Sequence, residues 1–212
     1  MKTDDLINAL SADGRSAAMP LDRAWMLAAA TAVVLAAIAF FVMLGPRHDI
    51  TVAAQTTRFL FKFVVTTALA GSAWVAIRAA SRPEGIGPKA VAGLALAPAL
   101  IVGAIILELL SIPADQWRTR LVGTNYLLCL TFIPLIGLAP LALFLATLRH
   151  GAPARPALAG AVAGLLAGGV AATFYAAHCF DDSPLFVATW YSLAIVLLAV
   201  LGAIAGRLVA RW

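Results

Sequence analysis

Six apolar stretches, each about twenty residues long, decide what this chain can fold into. A helix needs roughly twenty apolar residues to cross a hydrocarbon core about 30 Å thick. The stretches 25–45, 59–80, 90–112, 121–148, 157–178 and 185–206 have that length. Their joints carry helix-breaking chemistry: Gly45-Pro46, Arg82-Pro83-Glu84-Gly85, Pro113, Gly151-Ala152-Pro153 and Ser183-Pro184. The runs are too long for membrane strands and do not alternate in polarity. The predicted fold class is therefore all-α: a polytopic six-transmembrane-helix bundle (25–212) behind a short N-terminal cytoplasmic tail (1–24) that itself carries a helix. Composition agrees. Hydrophobic residues make up 63% of the chain and charged residues 12%, against about 45–50% and 25% in soluble domains. The polar surface needed to coat a water-soluble globule is missing.

The charge pattern sets the expected sidedness. A net charge of +5 in a soluble protein would point to nucleic acid. Here the basic residues flank apolar runs, so no direct nucleic-acid partner is expected. Of the fifteen Lys and Arg, ten fall in the tail, the second and fourth loops and the C-terminus, and five on the other side. The richer side is cytoplasmic by the positive-inside rule, so both termini face the cytoplasm and the turn 177–184 faces out. The first apolar run begins only near Trp25, after four acids, and is long enough to span. It is read as a span rather than a cleaved leader. Two cysteines exclude a disulfide-dense scaffold.

Gly160, Gly164 and Gly168 repeat at four-residue spacing in the fifth run, and Gly202 and Gly206 in the sixth. Small residues at this spacing let helix backbones approach closely in lipid. Packing within the bundle is the main reading, and a homodimer face the minority one. Pro98, Pro134 and Pro140 are expected to kink their helices.

Ionisable groups within a span are costly unless paired or wet, so Lys62 and Glu108 need a reason. Each lies about one turn from the outer end of its run, and the two helices are antiparallel neighbours. An intramembrane Lys62–Glu108 ion pair is expected; the rival reading has Lys62 snorkelling outward alone. Cys129 and Cys179 both fall in the outer half. They can bridge, bind metal or stay free. His178, Cys179 and Cys129 form a speculative soft-metal set, although consecutive helical residues diverge by about 100°. Asp181 and Asp182 precede Ser183-Pro184 and are read as caps for the sixth helix. His48 and His150 are read as solvated loop residues. No Ser/His/Asp set, P-loop, GxGxxG, HExxH or CxxC stands in a fitting context, so neither an enzyme nor a cofactor is expected. A small transporter using Glu108, or a structural membrane subunit with inert cysteines, remains as the alternative.

The tail opens with MKTDDLINALSADGR. Thr3 can cap a short helix with Asp4 and Asp5 in its first turn, and Gly14 can end it. Leu6, Ile7 and Leu10 share one face, suited to a partner's groove. The acidic polar face argues against anionic lipid and for a basic partner.

MKTDDLINAL and AHCFDDSPLFVATWYSLAI resemble the NrsF family of bacterial inner-membrane anti-sigma factors, and the resemblance covers essentially the whole chain. It implies six spans and an extracytoplasmic-function (ECF) sigma factor as partner, held at the membrane and released under heavy-metal or oxidative stress. It also implies a sensing role for Cys129 and Cys179. The sigma-factor contact maps onto Asp4, Asp5, Leu6, Ile7 and Leu10.

Overall fold

In lipid every backbone polar group must be paired within the protein, and a helix does this within a single segment. The computed structural model describes residues 3–7 and 19–209. Residues 3–7 form an exposed helical turn, α1. The bundle follows as α2 (Leu21–Met43), a short α3 (Ile50–Ala53), α4 (Thr57–Ala80), α5 (Pro88–Leu94), α6 (Leu96–Ser111), α7 (Trp117–Val122), α8 (Tyr126–Leu148), α9 (Pro156–Ala176), α10 (Pro184–Phe186) and α11 (Ser192–Val209). Neighbouring elements join into six stretches long and apolar enough to cross a membrane, and among the described residues no strand occurs. This is the build of an integral membrane protein.

The outer helices are apolar all round although little of each is buried inside the bundle. α2 buries only the stripe Trp25, Ala28, Ala32, Ala36 and Phe40, one residue per turn. Three expected continuous helices are interrupted, each for a chemical reason. The third breaks at Ala95, because Pro98 has no N–H to offer the Leu94 carbonyl. The fourth, expected from residue 121, starts only at Tyr126. Gly123 there takes φ 57°, which favours glycine, and a Cβ on it would collide with Phe186 and Asp181. The sixth begins with Pro184 at its first position and then widens to a π turn over Val187–Tyr191. α8, by contrast, runs through both Pro134 and Pro140.

α9 is the axis of the bundle and packs against α11, α4, α8 and α2. The glycine pattern explains its tightest contact. A Cβ on Gly160 would strike the Gly202 carbonyl, and one on Gly206 the Pro156 carbonyl. The small-residue face is consumed within the chain, so it does not serve the homodimer reading. Around α9 lie two apolar clusters. One gathers Trp25, Ile77, Phe144 and Leu148 near the end where α2 starts and α4 and α8 stop, termed here the terminal end. The other gathers Phe40, Cys129, Tyr175, Cys179 and Tyr191 at the opposite end, termed here the cysteine end. α6 stands apart. It meets α4, α5, α10 and the π turn, and buries only Ala97 and Glu108.

The two ends are fastened differently. At the terminal end, Asp22 of α2 pairs with Arg78 at 2.7 Å and with Arg82 at 3.1 Å, while Trp25 Nε1 donates to Ser81 Oγ at 3.1 Å. These exposed pairs contribute little each, but they tie the start of α2 to the end of α4. Gly202→Leu should lower stability by about 1–3 kcal/mol or more through forced overpacking. Gly103→Ala, which faces open space, should melt at or above the parent temperature. Thermal unfolding in detergent, followed by circular dichroism, checks both.

Candidate functional site

The turn between α9 and α10 answers why polar residues gather at 177–184: between them they fasten α4, α6, α8 and the loop after α2. The Arg47 backbone N–H donates to the Ala177 carbonyl at 3.0 Å. His178 Nδ1 is 2.9 Å from the Gly45 carbonyl oxygen. Lys62 of α4, with no exposed surface, donates to the Cys179 carbonyl at 2.8 Å and pairs with Asp182 at 2.5 Å. Arg47 Nη1 reaches the same carbonyl at 3.3 Å and Asp182 at 3.1 Å. Its other nitrogens grip Asp49 at 2.6 and 2.7 Å, and its guanidinium lies 4.5 Å from the Phe180 ring centroid. The Arg47 hydrogen bonds hold Asp49 down to about 2, so this carboxylate stays charged at neutral pH.

The rest of the turn caps its neighbours. Asp181 accepts from the backbone N–H groups of Thr124 at 3.0 Å and Asn125 at 2.8 Å, so it closes the start of α8. Ser183 Oγ donates to Glu108 Oε2 at 2.8 Å, and the Leu185 N–H donates to the same oxygen at 3.0 Å. Glu108 thereby caps the last span from another helix.

The Asp181 clamp has a consequence for the thiols. It fixes Asn125, and the Cys129 N–H donates to the Asn125 carbonyl at 2.9 Å, one turn into α8. Cys129 and Cys179 then belong to one buried cluster, and the Cys129 side chain bears on the ionisation of Cys179. Both are free and fully buried among Tyr175, Phe186 and Tyr191. The Cys129 thiol, and after it the Lys62 ammonium, hold the Cys179 thiol below its ordinary pKa, while burial opposes them.

The residues around this site occur in a known setting. The family model described as "Negative regulator of sigma F" matches residues 10–212. The chain belongs to the NrsF family. Over its full length it is 36% identical to the Anti-sigma-F factor NrsF of Caulobacter vibrioides, and all of that protein is covered. It is 33% identical to the Probable anti-sigma-F factor NrsF of Azospira oryzae, again with both chains fully covered. No solved structure matches the chain.

Several residues of this NrsF chain do work that the sequence reading had assigned elsewhere. The expected Lys62–Glu108 ion pair does not form. Lys62 takes Asp182, and Glu108 has Arg58 at 3.8 Å. The two side chains do flank one site, but the turn enters between them and gives each its own partner. Asp181 and Asp182 cap α8 and pair with cations instead of capping the sixth helix. The speculative metal set of His178, Cys179 and Cys129 is not assembled. His178 is turned to the Gly45 carbonyl, and no three His, Cys, Asp or Glu side chains converge among the described residues. Arg47 is one of the five cations on the less basic side and stands out in no motif. Its nearness to His48-Asp49 within an outer loop was the available signal. In α1, Asp4, Asp5, Leu6 and Ile7 are exposed, Leu6 by 44% and Ile7 by 53%. Leu10 and Gly14 lie outside the described residues.

Asp182→Asn should cost about 3–5 kcal/mol, because it leaves a buried ammonium without its counter-charge. Adding Lys62→Met should recover most of that loss, as a double-mutant cycle of chemical unfolding in detergent would show. Lys62→Met alone should slow alkylation of Cys179 by a small neutral reagent at fixed pH, since less thiolate is present. Peptide mass spectrometry reads that rate.

Proposed function

We propose that this chain is a membrane anti-sigma factor, a regulator without enzymatic activity. Its α1 tail holds an ECF sigma factor on the cytoplasmic side of a bacterial inner membrane and releases it when Cys129 and Cys179 meet an oxidant or a soft heavy metal. Full-length similarity to two proteins named for anti-sigma-F activity supports the regulator role. The observation that carries the sensing role is the pairing of two buried thiols at the end of the bundle opposite Leu21, where the tail joins.

The chemistry needs no cofactor. Oxidation forms one Sγ–Sγ bond, and two protons and two electrons pass to the oxidant. A soft cation instead displaces the protons and is held by both sulfurs. In either case, a bond of about 2.05 Å, or a metal bridge, replaces a non-bonded contact. The start of α8 and the turn must then shift relative to one another, against the Asp181 clamp. A coupling of about 1–3 kcal/mol changes tail affinity 5–150-fold. Asp4 and Asp5 suit basic surface on the sigma factor, while Leu6, Ile7 and Leu10 supply the apolar contact. An ion transporter fits less well. The buried ionisable side chains among the described residues, Arg47, Lys62 and Glu108, all lie at the cysteine end and form no path across the bundle.

Replacing Cys129 and Cys179 together with Ser should abolish induction of the sigma factor's target genes by oxidant or metal. A normal response in that strain refutes the sensing role. Leu6→Asp should eliminate co-purification of the sigma factor with membranes, and unchanged retention refutes the docking role of α1.

A further inference from the structure

The Glu108 carboxylate is only half satisfied. Its Oε2 accepts two hydrogen bonds, but Oε1 has no hydrogen-bond partner among the described residues, although Glu108 is only 3% exposed. Arg58 Nη2 stands 3.8 Å away, beyond hydrogen-bonding distance. A buried acceptor without a hydrogen bond is uncommon, and a donor that enters beside it would satisfy it. Glu108 belongs to the wall of a cavity of about 290 Å³ between α4 and α6 at the cysteine end, shared by Arg58, Phe61 and Leu107. One turn further along the same seam lies a second cavity, of about 430 Å³, almost wholly apolar. Val65, Ile101, Val102, Val187 and Ile195 line it. The two cavities follow one another down the groove that the loosely packed α6 leaves beside α4 and the π turn.

We infer that this seam binds one phospholipid with a primary-ammonium head group, from the leaflet that meets the cysteine end. The ammonium donates to Glu108 Oε1, the phosphate faces the half-exposed Arg58 guanidinium, and an acyl chain fills the apolar cavity. Charge complementarity selects this head group. A carboxylate oxygen that lacks a donor, beside a cation that does not reach it, matches a zwitterion with N–H donors at one end and phosphate at the other. A choline head brings the positive charge without an N–H to donate. A glycerol head carries a net negative charge to a buried carboxylate.

The test uses the full chain in mild detergent with an equimolar mixture of dioleoyl phosphatidylethanolamine, phosphatidylcholine and phosphatidylglycerol, read by native mass spectrometry. The wild type should retain the ethanolamine lipid about tenfold over each of the others. Glu108→Gln should remove that excess, and Ile101→Trp, which fills the apolar cavity, should lower retention of all three lipids. Equal retention by the wild type overturns the assignment whatever the variants do. So does an undiminished excess in Glu108→Gln, or unchanged retention in Ile101→Trp. Should Glu108→Gln fail to fold, the wild-type comparison and Ile101→Trp still decide. None of these outcomes depends on the sigma factor.

Discussion

A fully buried ammonium holds the cysteine end together. Lys62 is removed from water inside an apolar bundle, where an unpaired charge costs several kcal/mol. Asp182 and the Cys179 carbonyl satisfy it, and both belong to the same four-residue stretch of the turn. Meeting that requirement draws the turn down between α4 and α6. Once the turn is there, Asp181 reaches α8, Ser183 reaches Glu108, and Cys179 comes against Cys129. Charge neutralisation thus works together with α8–α9 packing and with the Cys179 N–H bond to the Tyr175 carbonyl at 3.1 Å in setting where residues 129 and 179 lie.

The helical architecture was legible because lipid imposes it. Run length, breaker residues and the four-residue glycine spacing each act locally, and a local rule can be read along the chain. The site was only half legible. Depth in the membrane follows from position within a run, so Lys62, Glu108, Cys129 and Cys179 were all correctly expected near one end. Azimuth around each helix, and the path of a connecting turn, depend on packing between segments more than a hundred residues apart, as with Lys62 and Cys179. That is why Glu108 was matched with Lys62 when its bonds go to Ser183 and Leu185. The two aspartates misled for a related reason. Asp-Asp-Ser-Pro is a good local cap pattern, but Asp182 gains more from the Lys62 and Arg47 cations, and Asp181 is taken by the backbone N–H groups of Thr124 and Asn125.

The bundle is unevenly consolidated. α9 and α11 meet through bare backbone, with no side chain to spare at Gly160 or Gly202, whereas α6 contributes almost nothing to the interior. Free energies of local opening follow such differences in burial. The rigid pair carries the turn that holds Cys179, and the loosely held helix carries Glu108. The same polar cluster therefore joins the firmest and the least anchored parts of the molecule.

α4 touches both ends of this arrangement. Lys62 grips the turn near its start, and Arg78 grips Asp22, just behind the tail, about 24 Å further on at 1.5 Å per residue. An unbroken helix resists bending over that length and transmits twist and translation as a strut does. A slackened grip on Cys179 frees the strut at one end while its other end still carries the base of the tail. One unbroken element therefore joins the polar cluster around Lys62 to the ion pairs at Asp22.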